Sequence, residues 1–173
     1  MMSYRIDICE KITAALHESP YDEKKIEKTI ELFYVQVLKE AKMTGHSVES
    51  VTYEVLEGID EGMTKKPEKV EDTLKSASRS IADIIHKSAK KTICEKKRKV
   101  RFAKAELRET IEAEKVHLNE SLEAFKHYAR EKSYRKFEMS LQEREREIVE
   151  YIHKITDKFQ YNHIHKIKDS YDR

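Results

Sequence analysis

Turn formers are what this chain has least of: three Gly, two Pro and no Trp in 173 residues. The last Gly is Gly62 and the last Pro is Pro67, so no strong helix breaker stands between Glu68 and Arg173. Such depletion matches the composition of long helices and coiled coils and argues against strands. Scarce glycine also leaves no Gly-rich loop to cradle phosphate, and no G-x-S-x-G turn is present, so P-loop and serine-nucleophile chemistry have no support. Cys9 and Cys94 are the two cysteines. They lie far apart without a CxxC or metal-type spacing, and read as reduced thiols.

Long apolar runs are missing too. Nothing approaches the roughly 20 apolar residues of a membrane span, and the start, MMSYRIDICEKI, has neither a basic n-region nor an apolar h-region. The expectation is a cytoplasmic protein.

What is present is charge: 39% of residues are charged and 38% hydrophobic, with a net charge of +2. That net value hides an uneven distribution. Residues 1–89 sum to −4, residues 90–104 to +7 and the remainder to −1. The basic block consists of Lys90, Lys91, Lys96, Lys97, Arg98, Lys99, Arg101 and Lys104, with Glu95 as its one acid.

The apolar residues follow helical rows. After Glu68 they fall eleven apart: Val70 and Ile81; Leu74, Ile85, Leu107, Leu118 and Ala129; Ala89, Val100, Ile111 and Leu122. Eleven residues in three turns is about 3.67 per turn, the period of long straight or slightly right-handed helices. From Val70 to Ala129 the rows stay in phase. One helix of about 60 residues would be roughly 90 Å long at 1.5 Å per residue; a break near residues 93–99 would instead give two antiparallel helices of ordinary bundle length. Both remain open from sequence. Beyond Ser133 the stripe of Phe137, Leu141, Ile148, Ile152, Ile155 and Phe159 is rotated by about a quarter turn. This predicts a turn at Glu131–Tyr134 with Ser133 as the cap of a final helix.

Three shorter helices are predicted before Pro67. The first, about Tyr4 to His17, aligns Cys9, Ile12, Thr13 and Leu16. The second starts after Ser19, Pro20 and Asp22, which supply a capping hydroxyl, Pro at the first helical position and an acid at the positive end of the dipole. Its inward stripe is Ile26, Ile30, Phe33, Val37 and Ala41 with Tyr34 at the edge, and Gly45 ends it. The third follows Ser47 and turns Val48, Val51, Val55, Ile59 and Met63 inward. Its Gly58 and Gly62, four apart, allow close approach of a backbone, either as a self-association seam or as tight internal packing.

The expected fold is therefore all-α: an elongated helical bundle of five or six helices with long antiparallel, coiled-coil-like members. Residues 1–66 form short N-terminal helices and 67–173 the long-helix region, within one continuous domain. Slim apolar stripes bury little area in one chain, so a homo-oligomer, with a dimer favoured, would enlarge the core.

Three patterns bear on function. Asp83 with His86, Glu114 with His117, and Glu150 with His153 are acid-x-x-His pairs. Two Glu-x-x-His pairs plus a Glu from each of two further helices is the ligand set of ferritin-like di-iron carboxylate bundles. With 33 acids and 8 histidines, three pairs are a small excess over chance. Asp83, His86, Glu150 and His153 sit off the apolar stripes; Glu114 alone falls inside one, where a Lys or His of a neighbouring helix would pair with it. His163 and His165, two apart, point about 200° apart on a helix and cannot share one ion there.

The second pattern is the basic block. Clustered cations attract phosphate backbones by counterion release and anionic lipids at about 1 kcal/mol per residue. The third is amphipathicity: apolipoproteins and granule-coating phasins are built from Gly-poor, hendecad-rich helices of this kind, although no motif here carries residues over from them. The reading favoured by the whole is a non-enzymatic structural or interaction protein acting by self-association or by docking a protein partner. An anionic-surface binder (membrane, granule or nucleic acid) through residues 90–104 and a ferritin-like di-metal bundle are the alternatives. No catalytic, cofactor-binding or metal residue is assigned, and no small-molecule substrate is inferred.

Overall fold

Capping chemistry sets where the helices begin and end in the computed structural model, which describes residues 3–18, 22–99, 104–147, 149–151 and 153–154. Every regular element among those residues is helical. The elements are α1 (Tyr4–His17), α2 (Glu23–Thr44), α3 (Val48–Gly62), a single 3-10 turn at Pro67–Lys69, α4 (Val70–Lys99) and α5 (Lys104–Glu131). A sixth helix, α6, covers residues 135–147, and residues 149–151 and 153–154 are helical as well.

Local signals explain the first half. The Asp22 carboxylate accepts hydrogen bonds from the amides of Lys24 and Lys25, at 3.1 and 3.3 Å, which opens α2. Asp22, not Ser19, is thus the cap; Ser19 and Pro20 lie outside the described residues. Gly45 closes α2 in the left-handed conformation at φ 72°, where a side chain would be strained. Ser47 then caps α3 by accepting from the Ser50 amide at 3.2 Å.

Side-chain contacts fix the directions. Tyr34 of α2 stacks on Phe125 of α5 and Lys42 pairs with Glu114, so these two helices run oppositely. Arg130 pairs with Glu138 and Lys126 with Glu145, making α5 and α6 an antiparallel hairpin. Glu71 meets the start of α6 and Asp83 meets Arg144 further along, so α4 runs with α6. The run from Glu68 to Glu131 is thereby divided: α4 and α5 are separate helices packed on each other.

A single core cluster joins α1 to α6, from Ile8 through Tyr34, Val55 and Leu74 to Phe125 and Leu141, and so includes residues from both 1–66 and 67–173. Rings organise its centre. Phe125 lies 5.4 Å from Tyr34 and 6.2 Å from Phe137, and Tyr128 lies 5.4 Å edge-on to Tyr53, separations at which aromatic pairs attract. The α3 stripe is buried as its spacing predicts, from Val48 to Met63.

Two faces differ from expectation. In α1 the buried residues are Ile8, Ile12 and Ala15, while Cys9, Thr13 and Leu16 are only half-buried. The reason is the glycine pair. A Cβ on Gly58 would run into Ile8 and the Arg5 carbonyl, and one on Gly62 would lie 2.8 Å from the Ile12 Cβ, so α1 is seated in a notch that only glycine leaves open. Gly58 and Gly62 therefore serve internal packing in this chain. In α2, Tyr34 is fully buried and Phe33 half-buried, the reverse of the predicted order. Tyr34 turns inward because its hydroxyl finds the buried Thr52 hydroxyl at 2.8 Å, and burial pushes its pKa up to about 12.

Ser133 also acts otherwise than predicted. Its φ of 58° is left-handed. The amide of Tyr134 donates to the Ala129 carbonyl at 2.8 Å and that of Ser133 to Arg130 at 3.2 Å, the bond pattern of a Schellman stop, so Ser133 ends α5. The cap of α6 comes from another helix: Glu71 of α4 accepts from the amides of Lys136 and Phe137 at 2.8 and 3.4 Å.

Candidate functional site

The residues singled out by the sequence do not converge on one centre. Glu114 pairs with Lys42 of α2 at 3.2 Å. Its neighbour His117 is half-buried, and its Nδ1 meets no hydrogen-bond partner among the described residues. Burial, helped by the nearby Lys42 ammonium, holds its pKa below the ordinary histidine value. Asp83 is engaged by Arg144 at 3.0 Å, and Glu150 and His153 are exposed. The His86 side chain, and His163 and His165, lie outside the described residues. Among the described residues no three His, Cys, Asp or Glu come within reach of one metal ion.

The basic block straddles the α4–α5 connection, at the opposite end of α4 from the Glu71 cap. Lys90 and Lys91 are exposed on α4. Lys96, Lys97, Arg98 and Lys99 are the last residues of α4 and Lys104 is the first of α5. The side chains of these five, and Arg101 as a whole, lie outside the described residues.

At the α5–α6 corner a polar group sits in an aromatic setting. The Tyr134 hydroxyl donates to Asp60 Oδ1 at 2.8 Å, while Asp60 Oδ2 and the Tyr128 hydroxyl are buried without a partner among the described residues. Burial raises the Asp60 pKa, against the opposing influence of the Tyr134 hydrogen bond and the Lys132 charge. The Lys132 ammonium lies 5.9 Å from the Tyr128 ring centre, so the chain supplies its own cation there. This corner reads as structural: it ties α3 to the start of α6.

A groove of about 640 Å³ lies between α1 and α2. Ala14, Phe33 and Val37 give it apolar walls; Asp7, Glu10 and Glu40 stand against Lys11 on its rims. The Tyr4 hydroxyl donates to Glu40 at 3.1 Å and bridges the two helices. Beside it on α2, Leu32 is 60% and Met43 79% exposed. These two are eleven apart and so share one row of the helix, adjoining Gln36 and Glu40 of the groove wall.

Sequence reasoning missed this groove. Its only signal was the Leu32–Met43 row, a second apolar row on α2 beside the inward stripe. Comparison of the chain with protein families, with characterised proteins and with solved structures finds no match. No helix among the described residues is long and apolar enough to cross a membrane.

Proposed function

We propose that this is a non-enzymatic helical interaction protein that docks a protein partner on the outer face of its α1–α2 pair. The observation that carries the reading is the α2 row of Leu32 and Met43 beside an open groove. Exposed apolar side chains that flank an open groove lined by Ala14, Phe33 and Val37 suit an interface left uncovered in the free protein. Internal packing has no use for them, since the inward stripe of α2 is complete without them.

A photo-crosslinking amino acid placed at Leu32 or Met43 in cells that make the protein should yield discrete adducts, whereas one at Glu112 on α5 should not. Absence of adducts at both α2 positions would remove the reading. An elongated antiparallel bundle that pairs as a dimer belongs to the same proposal. Solution scattering with light-scattering mass determination should return an anisotropic particle of twice the chain mass.

The basic block supports a second reading, binding to a polyanion or an anionic membrane. Eight cations against one acid in residues 90–104 suffice for phosphate attraction. Binding to anionic vesicles or to an oligonucleotide should then fall steeply with salt and be lost on replacing Lys96, Lys97, Arg98 and Lys99 with Gln. Unchanged binding would dismiss it.

A further inference from the structure

The groove identifies the chemistry of its occupant. We propose that it receives an amphipathic helix of a partner protein, with an apolar stripe flanked by Lys or Arg. This rests on the interaction reading above and adds to it the shape and charge of the partner.

Shape comes first. The α2 wall, from Phe33 to Glu40, extends about 11 Å at 1.5 Å per residue, and the α1 wall, from Tyr4 to Ala14, about 15 Å. Two helical walls of this length form a trough for a third helix of about two to three turns, read through anchors at i, i+3 or i+4, and i+7. Ala14 is the small residue that admits an anchor between the walls, with Phe33 and Val37 opposite.

Charge selects the flanks. Asp7 and Glu10 stand on the α1 side and Glu40 on the α2 side, with Lys11 as the single cation of the lining. A helix lying in the trough would place residues on both sides of its stripe beside those carboxylates. Lys and Arg can lay their aliphatic stems on the apolar wall and carry their charge to the rim. The same distribution disfavours other occupants. Two copies of this face would bring two net-acidic linings together, and anionic lipid would meet the wrong sign.

The test uses the full chain and a defined probe: a fluorescein-labelled peptide helix with Leu at the anchor positions and Lys on both flanks, and its counterpart with Glu in place of Lys. Fluorescence anisotropy should show binding of the Lys peptide only. Asp7→Lys/Glu40→Lys and Leu32→Ser/Met43→Ser should each weaken it by about tenfold or more, and Glu143→Lys on α6 should not. Circular dichroism checks the fold of each variant, and Asp7→Asn/Glu40→Gln provides a milder form should the reversal unfold the chain. Equal affinity for the two peptides, or groove variants that bind like the parent, would overturn the proposal. So would a dimer in sedimentation that Leu32→Ser/Met43→Ser dissolves, which would assign the face to a second copy. Crosslinking at Leu32 separates the two levels. Adducts with a partner lacking a cationic helix would end this inference and leave the interaction reading in place, and no adducts would end both.

Discussion

At the scale of single residues, Gly58 is the position with the least freedom. A methyl group there meets a backbone carbonyl as well as the Ile8 side chain, and a carbonyl cannot rotate away. Gly58→Ala should therefore cost about 1–3 kcal/mol by forcing α1 off α3, seen as a lower denaturant midpoint. Ser133 presents the opposite case. A left-handed L-residue costs about 1–2 kcal/mol and glycine loses about 0.5–1 kcal/mol through its freer unfolded chain, so Ser133→Gly should gain roughly 0.5 kcal/mol. A denaturation curve with unchanged slope and higher midpoint is the expected result.

Asp60 makes a pH prediction with a definite sign. Its folded pKa lies above its unfolded value because burial disfavours the charge. The folded state then binds the proton more tightly, so stability falls as pH rises from about 4 through the raised folded pKa. Asp60→Asn keeps an acceptor for the Tyr134 hydroxyl and cannot ionise. Measured across that window, the variant should be the more stable at neutral pH, with the gap narrowing as pH is lowered. A gap that stays constant or widens in acid would show that Asp60 is not the group responsible.

At the scale of elements, caps and stops fall into local and tertiary kinds, and only the local kind was legible in the sequence. Gly45 and Ser47 act on backbone within three or four residues, and the α3 stripe from Val48 to Met63 needs only helical spacing, whereas Asp22, expected as a dipole acid beside a Ser19 cap, is itself the cap. Glu71 could not be recognised as a cap for α6, since it is 65 residues from Lys136 and meets it only when α4 and α6 lie side by side. Phe33 and Tyr34 were interchanged because the period places both near the boundary of the stripe; the Thr52 hydroxyl decided between them. The groove escaped notice for the same reason, as its shape depends on how α1 leans against α2. Loss of the tertiary cap is measurable. Glu71→Ala should cost about 1 kcal/mol and raise amide exchange at Lys136 and Phe137 ahead of the rest of the chain.

At the scale of the molecule, the shared core has a thermodynamic signature. Ile8 of α1 and Leu141 of α6 belong to one cluster, so heating should produce one cooperative transition with the helical and tyrosine signals superimposed. Two separated transitions would instead divide the chain near residue 66. Charge is distributed over a larger distance than any contact. The acid-rimmed groove lies on α1 and α2, whereas the cations of residues 90–104 lie where α4 gives way to α5. The acid-lined groove and the basic stretch are thus carried by separate helices.

The seat of α1 in α3 has a further consequence for how this chain tolerates change in length. Doubling the link between α1 and α2 would cost only about 0.6 kcal/mol of closure entropy, less than the single methyl of Gly58→Ala. Insertions between the two helices should accumulate freely as long as both glycines stay. The position of α1 is therefore set by its shape match to α3 and not by the length of its tether.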